Sequence, residues 1–163
     1  MTPPRGTSRI LLSFMPVFLP LAVRWVERQE RRILAHGEAL SEAGQVRAAM
    51  VGVAHPERIR VEYSKTIFGP RHPILSWCAQ ITGLYQPGTT GVSYRYGILI
   101  RRDQADNPDL LAHECVHTGQ YERLGGIAPF LKAYFQECLT VGYPSGALEQ
   151  EAIMRGKARP NPG

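Results

Sequence analysis

Two histidines four residues apart enclose a glutamate in the segment His113-Glu114-Cys115-Val116-His117. On a helix, positions i and i+4 lie on one face, so both imidazoles point the same way. Imidazoles so placed can share one Zn²⁺ at about 2.0–2.1 Å each. Glu114 lies about 100° around the helix from His113, beside the metal rather than on it. From there its carboxylate can take a proton from a water that the metal has acidified to a pKa of about 7. Cys115 lies about 200° from His113 and belongs to the opposite, core-facing side. A shuffled chain of 163 residues with the same 5 histidines would contain the motif about once in a hundred times. Its context therefore has to add weight.

A catalytic zinc takes three protein ligands and keeps one position open. Glu149 is the leading third ligand. It opens Glu149-Gln150-Glu151-Ala152, where the small Ala152 lets this segment approach the histidine helix closely. Glu151 is its rival; it lies about 200° around the same helix, so the two cannot both bind. Cys138 is a weaker rival. Gln120, one turn past His117, either lines the cleft or hydrogen-bonds behind a ligand. His36 falls at an expected helix end, and His55 and His72 precede prolines in loops. None of these three is assigned to the metal. There is no Gly-x-Ser-x-Gly elbow, and no cysteine has a persuasive histidine partner.

His113-Glu114-x-x-His117 followed by Glu149-x-x-Ala152 resembles the gluzincin class of zinc metallopeptidases, particularly its minimal single-domain members. The resemblance covers roughly residues 91–154. It implies His113, His117 and Glu149 as ligands of one zinc, Glu114 as general base and acid, and a peptide or protein substrate. It also implies a substrate-binding edge strand within residues 90–100 and a tyrosine or histidine that steadies the oxyanion. Tyr121, Tyr134 and Tyr143 are available, with Tyr143 preferred. The spacing from His117 to Glu149 is longer than in the simplest members. The rival from another class is a catalytically silent zinc scaffold, acting as a regulator or binding module.

The elements that must hold these residues can be read from periodicity and breakers. Pro16 to about Leu34 has apolar residues at helical spacing, with Pro20 in the first turn. A second helix is expected from Glu38 to about Val53, with Ala39, Leu40, Ala43, Val46 and Met50 as its buried stripe. Residues 58–63 alternate as a strand does. Residues 74–82 suggest a short helix, and Gln86-Pro87-Gly88 a turn. Residues 90–102 are rich in β-formers, with Gly91 and Gly97 as bends or bulges. The histidine helix has the clearest start: Asp106 or Asn107 as cap, Pro108 in the first turn and Asp109 at the positive end of the dipole. It stops at Gly125-Gly126. Further helices are expected over about 129–139 and from Ala147. The fold class is α+β: a small twisted sheet packed on the active-site helix, covered by the two N-terminal helices, in a single domain spanning 1–163.

Composition sets the remaining bounds. The net charge of +5 is carried mostly by arginine. No zinc-finger or RNP motif accompanies it, so no nucleic-acid partner is expected. Three scattered cysteines fit a reducing compartment, and a cytoplasmic location is expected. The apolar run over residues 10–23 is broken by Pro16 and Pro20, lacks a small-x-small cleavage site and is too short to span a membrane. It packs on the core, lies on a membrane surface or meets a second subunit. Residues 1–9 and 155–163 read as disordered ends.

Overall fold

The computed structural model describes residues 12–82 and 85–157. Its elements in chain order are α1 (Met15–His36), β1 (Glu38–Ala39), α2 (Glu42–Met50), β2 (Arg60–Ser64), α3 (Pro73–Thr82), β3 (Gly91–Tyr94), β4 (Gly97–Arg101), α4 (Pro108–Leu124), α5 (Ile127–Thr140) and α6 (Ala147–Gly156). The strands form one mixed sheet in the order β1-β2-β4-β3. β1 and β2 are antiparallel, β2 and β4 parallel, and β4 and β3 antiparallel. The fold is thus α+β, as expected. No described helix is long and apolar enough to cross a membrane. The expected disorder of residues 1–9 lies outside the described residues.

β4 is the centre of the molecule, and nearly all of it is buried. Its alternation sends Leu99 to one face and Ile98 and Ile100 to the other. Leu99 joins the cluster of α1 and α5, which includes Phe18, Val26, Ile33, Phe130 and Phe135. Ile98 and Ile100 join Cys115 and Val116 of α4 and Ala152 of α6. Full burial of each such aliphatic side chain contributes roughly 1.5–3 kcal/mol. Cys115 therefore faces the core, as its position on the helix required.

α1 runs across β4 at Gly97. A Cβ there would stand 3.1 Å from Cβ of Ile33 and 3.2 Å from Cα of Glu30. Gly97 is thus a crossing point rather than a bend. The buried stripe of α1 is Met15, Phe18, Ala22, Val26, Glu30 and Ile33. Of the other apolar residues at helical spacing, Leu34 is exposed and Trp25 only half-buried. Pro20 lies inside the helix, past its first turn.

The second helix needs the largest correction. Glu38 and Ala39 pair with Val61 and Arg60 as a short strand. The helix begins only after Ser41, whose hydroxyl accepts from the Gly44 amide. The expected stripe is displaced with it. Val46 and Met50 are 61% and 57% exposed, and Ala48 is the buried contact. At the other end, Arg155 and Gly156, read as part of a disordered tail, are the last residues of α6.

Candidate functional site

α4 carries the histidines, and its ends form as the sequence dictates. The Asn107 side chain accepts from the Leu110 amide, Pro108 fills the first turn, and Gly125 closes the helix in the left-handed conformation. α6 lies against α4 at two small residues. Ala152 is fully buried, and a Cβ on Gly156 would meet Cα, Cβ and N of His113 at 2.9 Å. This close approach brings Glu149 to the histidines across 32 to 36 residues of chain.

The three donors converge. Nε2 of His113 and Nε2 of His117 are 3.2 Å apart. Glu149 presents Oε1 to His113 and Oε2 to His117, each at 3.4 Å. A tetrahedral ion with ligand bonds of about 2.05 Å has ligand–ligand edges of about 3.3 Å; the two Nε2 atoms are spaced as such an edge, and the carboxylate faces each imidazole with a different oxygen. His113, His117 and Glu149 form the group that could hold a metal ion among the described residues.

Partners behind the ligands set their orientation. The Gln120 amide nitrogen donates to the Leu148 carbonyl at 2.8 Å and to Oε2 of Glu151 at 2.9 Å. Its oxygen is thereby the atom left facing Nδ1 of His117, at 2.8 Å. That oxygen can only accept, so Nδ1 carries the proton and Nε2 offers its lone pair to the site. The Tyr134 hydroxyl donates to Oε2 of Glu149 at 2.8 Å. Burial works to raise the Glu149 carboxyl, but hydrogen bonds and charge from His113 and His117 hold it well below the usual range.

Glu151 turns away into a different network. It receives Arg123 at 2.7 Å and Arg155 at 3.0 Å besides Gln120. Burial is the largest single influence and opposes ionisation, but the three donors together outweigh it and pull its pKa down to about 2. It locks α6 to α4 and holds Gln120 in place. Cys138 is buried in the core of α5, where burial pushes its thiol up to about 12. It is not part of the donor group.

Glu114 is 4% exposed, and no hydrogen bond reaches its carboxylate among the described residues. Desolvation, countered by His113 and reinforced by Glu149, pushes it up to about 7. Room for it comes from β3: a Cβ on Gly91 would lie 2.6 Å from Oε1 of Glu114. Gly91 is therefore a cleared space in the edge strand, not the bend its glycine suggested. The signal was in the sequence, but its partner 23 residues away was not readable there.

The site opens into a cavity of about 840 Å³. β3 forms one wall, α4 and α5 the floor, and Ala22, Trp25, Leu75 and Cys78 of α1 and α3 the far side. Most of the lining is apolar or aromatic, the composition of a ligand pocket. Of the three tyrosines considered, Tyr121 gives its hydroxyl to the Ser93 carbonyl and Tyr134 gives its own to Glu149. Tyr143 lines the cavity and is 40% exposed. Burial at the wall, then the charges of Glu149 and Glu114, push its phenol up to about 12.

In comparisons with family models, curated proteins and solved structures, none matches this chain.

Proposed function

We propose that the protein is a zinc-dependent metallopeptidase of gluzincin type, hydrolysing peptide bonds in the cavity beside α4. The observation that carries this reading is the convergence of His113, His117 and Glu149, with the two Nε2 atoms 3.2 Å apart and each 3.4 Å from an oxygen of Glu149, beside a buried Glu114 whose carboxylate has no hydrogen-bond partner among the described residues. Two neutral imidazoles and a carboxylate suit Zn²⁺, and three ligands leave a fourth position open. When bound, zinc supplies Lewis acidity to the scissile carbonyl and to the attacking water.

The chain's residues do the rest. Glu114, poised near neutrality, accepts the proton of the attacking water and then delivers it to the leaving amine. β3 is an edge strand whose outer side has no strand partner among the described residues, so an extended peptide can pair with it. Tyr143 donates its phenolic proton toward the developing oxyanion, and its raised pKa keeps that proton in place near pH 7. Gln120 and Tyr134 hold His117 and Glu149 in the orientation that binding needs.

The test is metal content and proteolysis together, on protein made without a polyhistidine tag or added metal. About one zinc per chain and cleavage of a mixed peptide library are expected, both lost in His113→Ala. Stoichiometric zinc with no cleavage of any peptide would replace the peptidase by a silent zinc scaffold. No zinc in the wild type would remove both.

A further inference from the structure

Twelve large apolar side chains are exposed among the described residues. Five of them, Phe14, Val17, Phe68, Ile74 and Trp77, belong to one end of the molecule. That end consists of the first half of α1, residues 65–72 and α3. These share one core cluster, to which Met15 and Phe18, Leu75 and Cys78 belong and against which Ile67 packs, and α1 and α3 are in contact. Phe68 is the most exposed large apolar side chain described, at 71%.

The same end carries charge of one sign. Residues 1–26 and 63–102 contain no aspartate or glutamate, although the chain has 14. Arg24, Lys65 and Arg71 are exposed there and form no ion pair among the described residues. Along α1 and its cap, Phe14, Val17, Arg24 and Arg28 are exposed at helical spacing, with the half-buried Leu21 between them packing on the core. Arg5 and Arg9 precede these residues in sequence.

We propose that this end docks on an anionic lipid surface. Apolar and aromatic side chains interleaved with unpaired cations are the composition of an interfacial contact: the rings enter the headgroup boundary while the cations meet lipid phosphates. The docking is peripheral, because no described helix can cross a bilayer. A second copy of the chain is the poorer occupant, since a face paired with itself would oppose cation to cation. A polynucleotide would satisfy the cations and leave Val17 and Ile74 in water. α1 and α3 also wall the cavity, so docking places the bilayer against helices that shape the proposed substrate chamber.

The experiment is flotation of the full chain with vesicles of phosphatidylcholine, alone or with about a third phosphatidylglycerol, at low and high salt. Binding is expected only to the anionic vesicles, and salt should weaken it. One cation near such a surface is worth roughly fivefold in partitioning, so Arg24→Gln, Lys65→Gln and Arg71→Gln combined should lower binding about a hundredfold. Val17→Ser with Phe68→Ser should lower it at least about tenfold. The equally exposed pair Val46→Ser and Met50→Ser on α2 should leave it unchanged. No retention on anionic vesicles, retention indifferent to the glutamine triple, or tighter binding to single-stranded RNA than to those vesicles would each overturn the proposal. None of these variants touches the metal group, so the outcome stands apart from the fate of the peptidase reading.

Discussion

Two glutamates are almost equally buried in this small fold, and they are treated in opposite ways. Glu30, 3% exposed on the inner face of α1, accepts from Nε and Nη2 of Arg95 at 2.8 Å each and from the Tyr96 amide at 3.2 Å. Glu114, 4% exposed on α4, accepts no hydrogen bond at its carboxylate among the described residues. Burying an ionised carboxylate is costly, and the cost is relieved either by partners or by taking up a proton. Glu30 takes the first route. Its ion pair pins α1 to the β3–β4 turn, whose Arg95 has a left-handed φ of 66° and whose carbonyl also accepts from Thr118 of α4 at 2.6 Å. Glu114 takes the second route and rests near neutrality, where a group can both accept and return a proton. One carboxylate holds the cleft together; the other is left unsupported inside it.

The sharpest way to break this comparison is to neutralise each in turn. Glu114→Gln should lower peptide hydrolysis by about 10²–10⁴-fold, the range of a lost general base, with zinc content unchanged. Because it removes a desolvated carboxylate with no partner, thermal stability should hold or rise. Glu30→Gln should do the reverse. It leaves Arg95 without its counter-charge and should cost about 3 kcal/mol in urea unfolding, while folded protein still takes up one zinc. If the two variants lose similar stability, the distinction between the two sites is wrong.

What the sequence made legible follows the same division. α4 could be read to within two residues because its signals are local: Asn107, Pro108 and Asp109 at one end, Gly125 at the other. His113, Glu114 and His117 came with it, since helical spacing alone sets their mutual geometry. Glu149 was preferred over Glu151 on a small residue, Ala152, and on resemblance. The structure brings Glu149 to the histidines because Ala152 and Gly156 let α6 close on α4. Glu30 could not have been singled out. Its partner lies 65 residues away, and in sequence it is one more acid on an arginine-rich helix. The error at α2 has the same origin. Residues 38–39 look helical by themselves, but a sheet edge formed by Arg60 and Val61 captures them. Ser41 then becomes the cap, and the apolar stripe drawn through Val46 and Met50 points to solvent.

Between the two extremes stand the groups that act through a ligand. Gln120 is fully buried and links Nδ1 of His117 to Glu151 and the Leu148 carbonyl. Gln120→Ala should weaken zinc binding about 10–100-fold, measured by competition with a chelating dye. An unchanged affinity would mean that packing, not this hydrogen bond, orients His117.

The smallest change tests the empty space instead of the carboxylate. Gly91 has no unusual backbone conformation among the described residues, and it pairs with Ile100 at the edge of the sheet. Alanine should therefore fit the strand, and the loss of glycine's freedom in the unfolded chain should stabilise by about 0.4–1 kcal/mol. Its methyl, however, would arrive 2.6 Å from Oε1 of Glu114 and 3.1 Å from its Cδ and Cγ. The end of a glutamate side chain can swing aside at little cost in stability, so the contact should be relieved by moving the base. Gly91→Ala is expected to keep its fold and its zinc, and to lose roughly tenfold in kcat as the carboxylate leaves its working position. A glycine needed only for strand geometry would give the opposite pattern, with falling stability and untouched turnover in the protein that remains folded. Stability and kcat moving in opposite directions at this one position would show that β3 is shaped around Glu114.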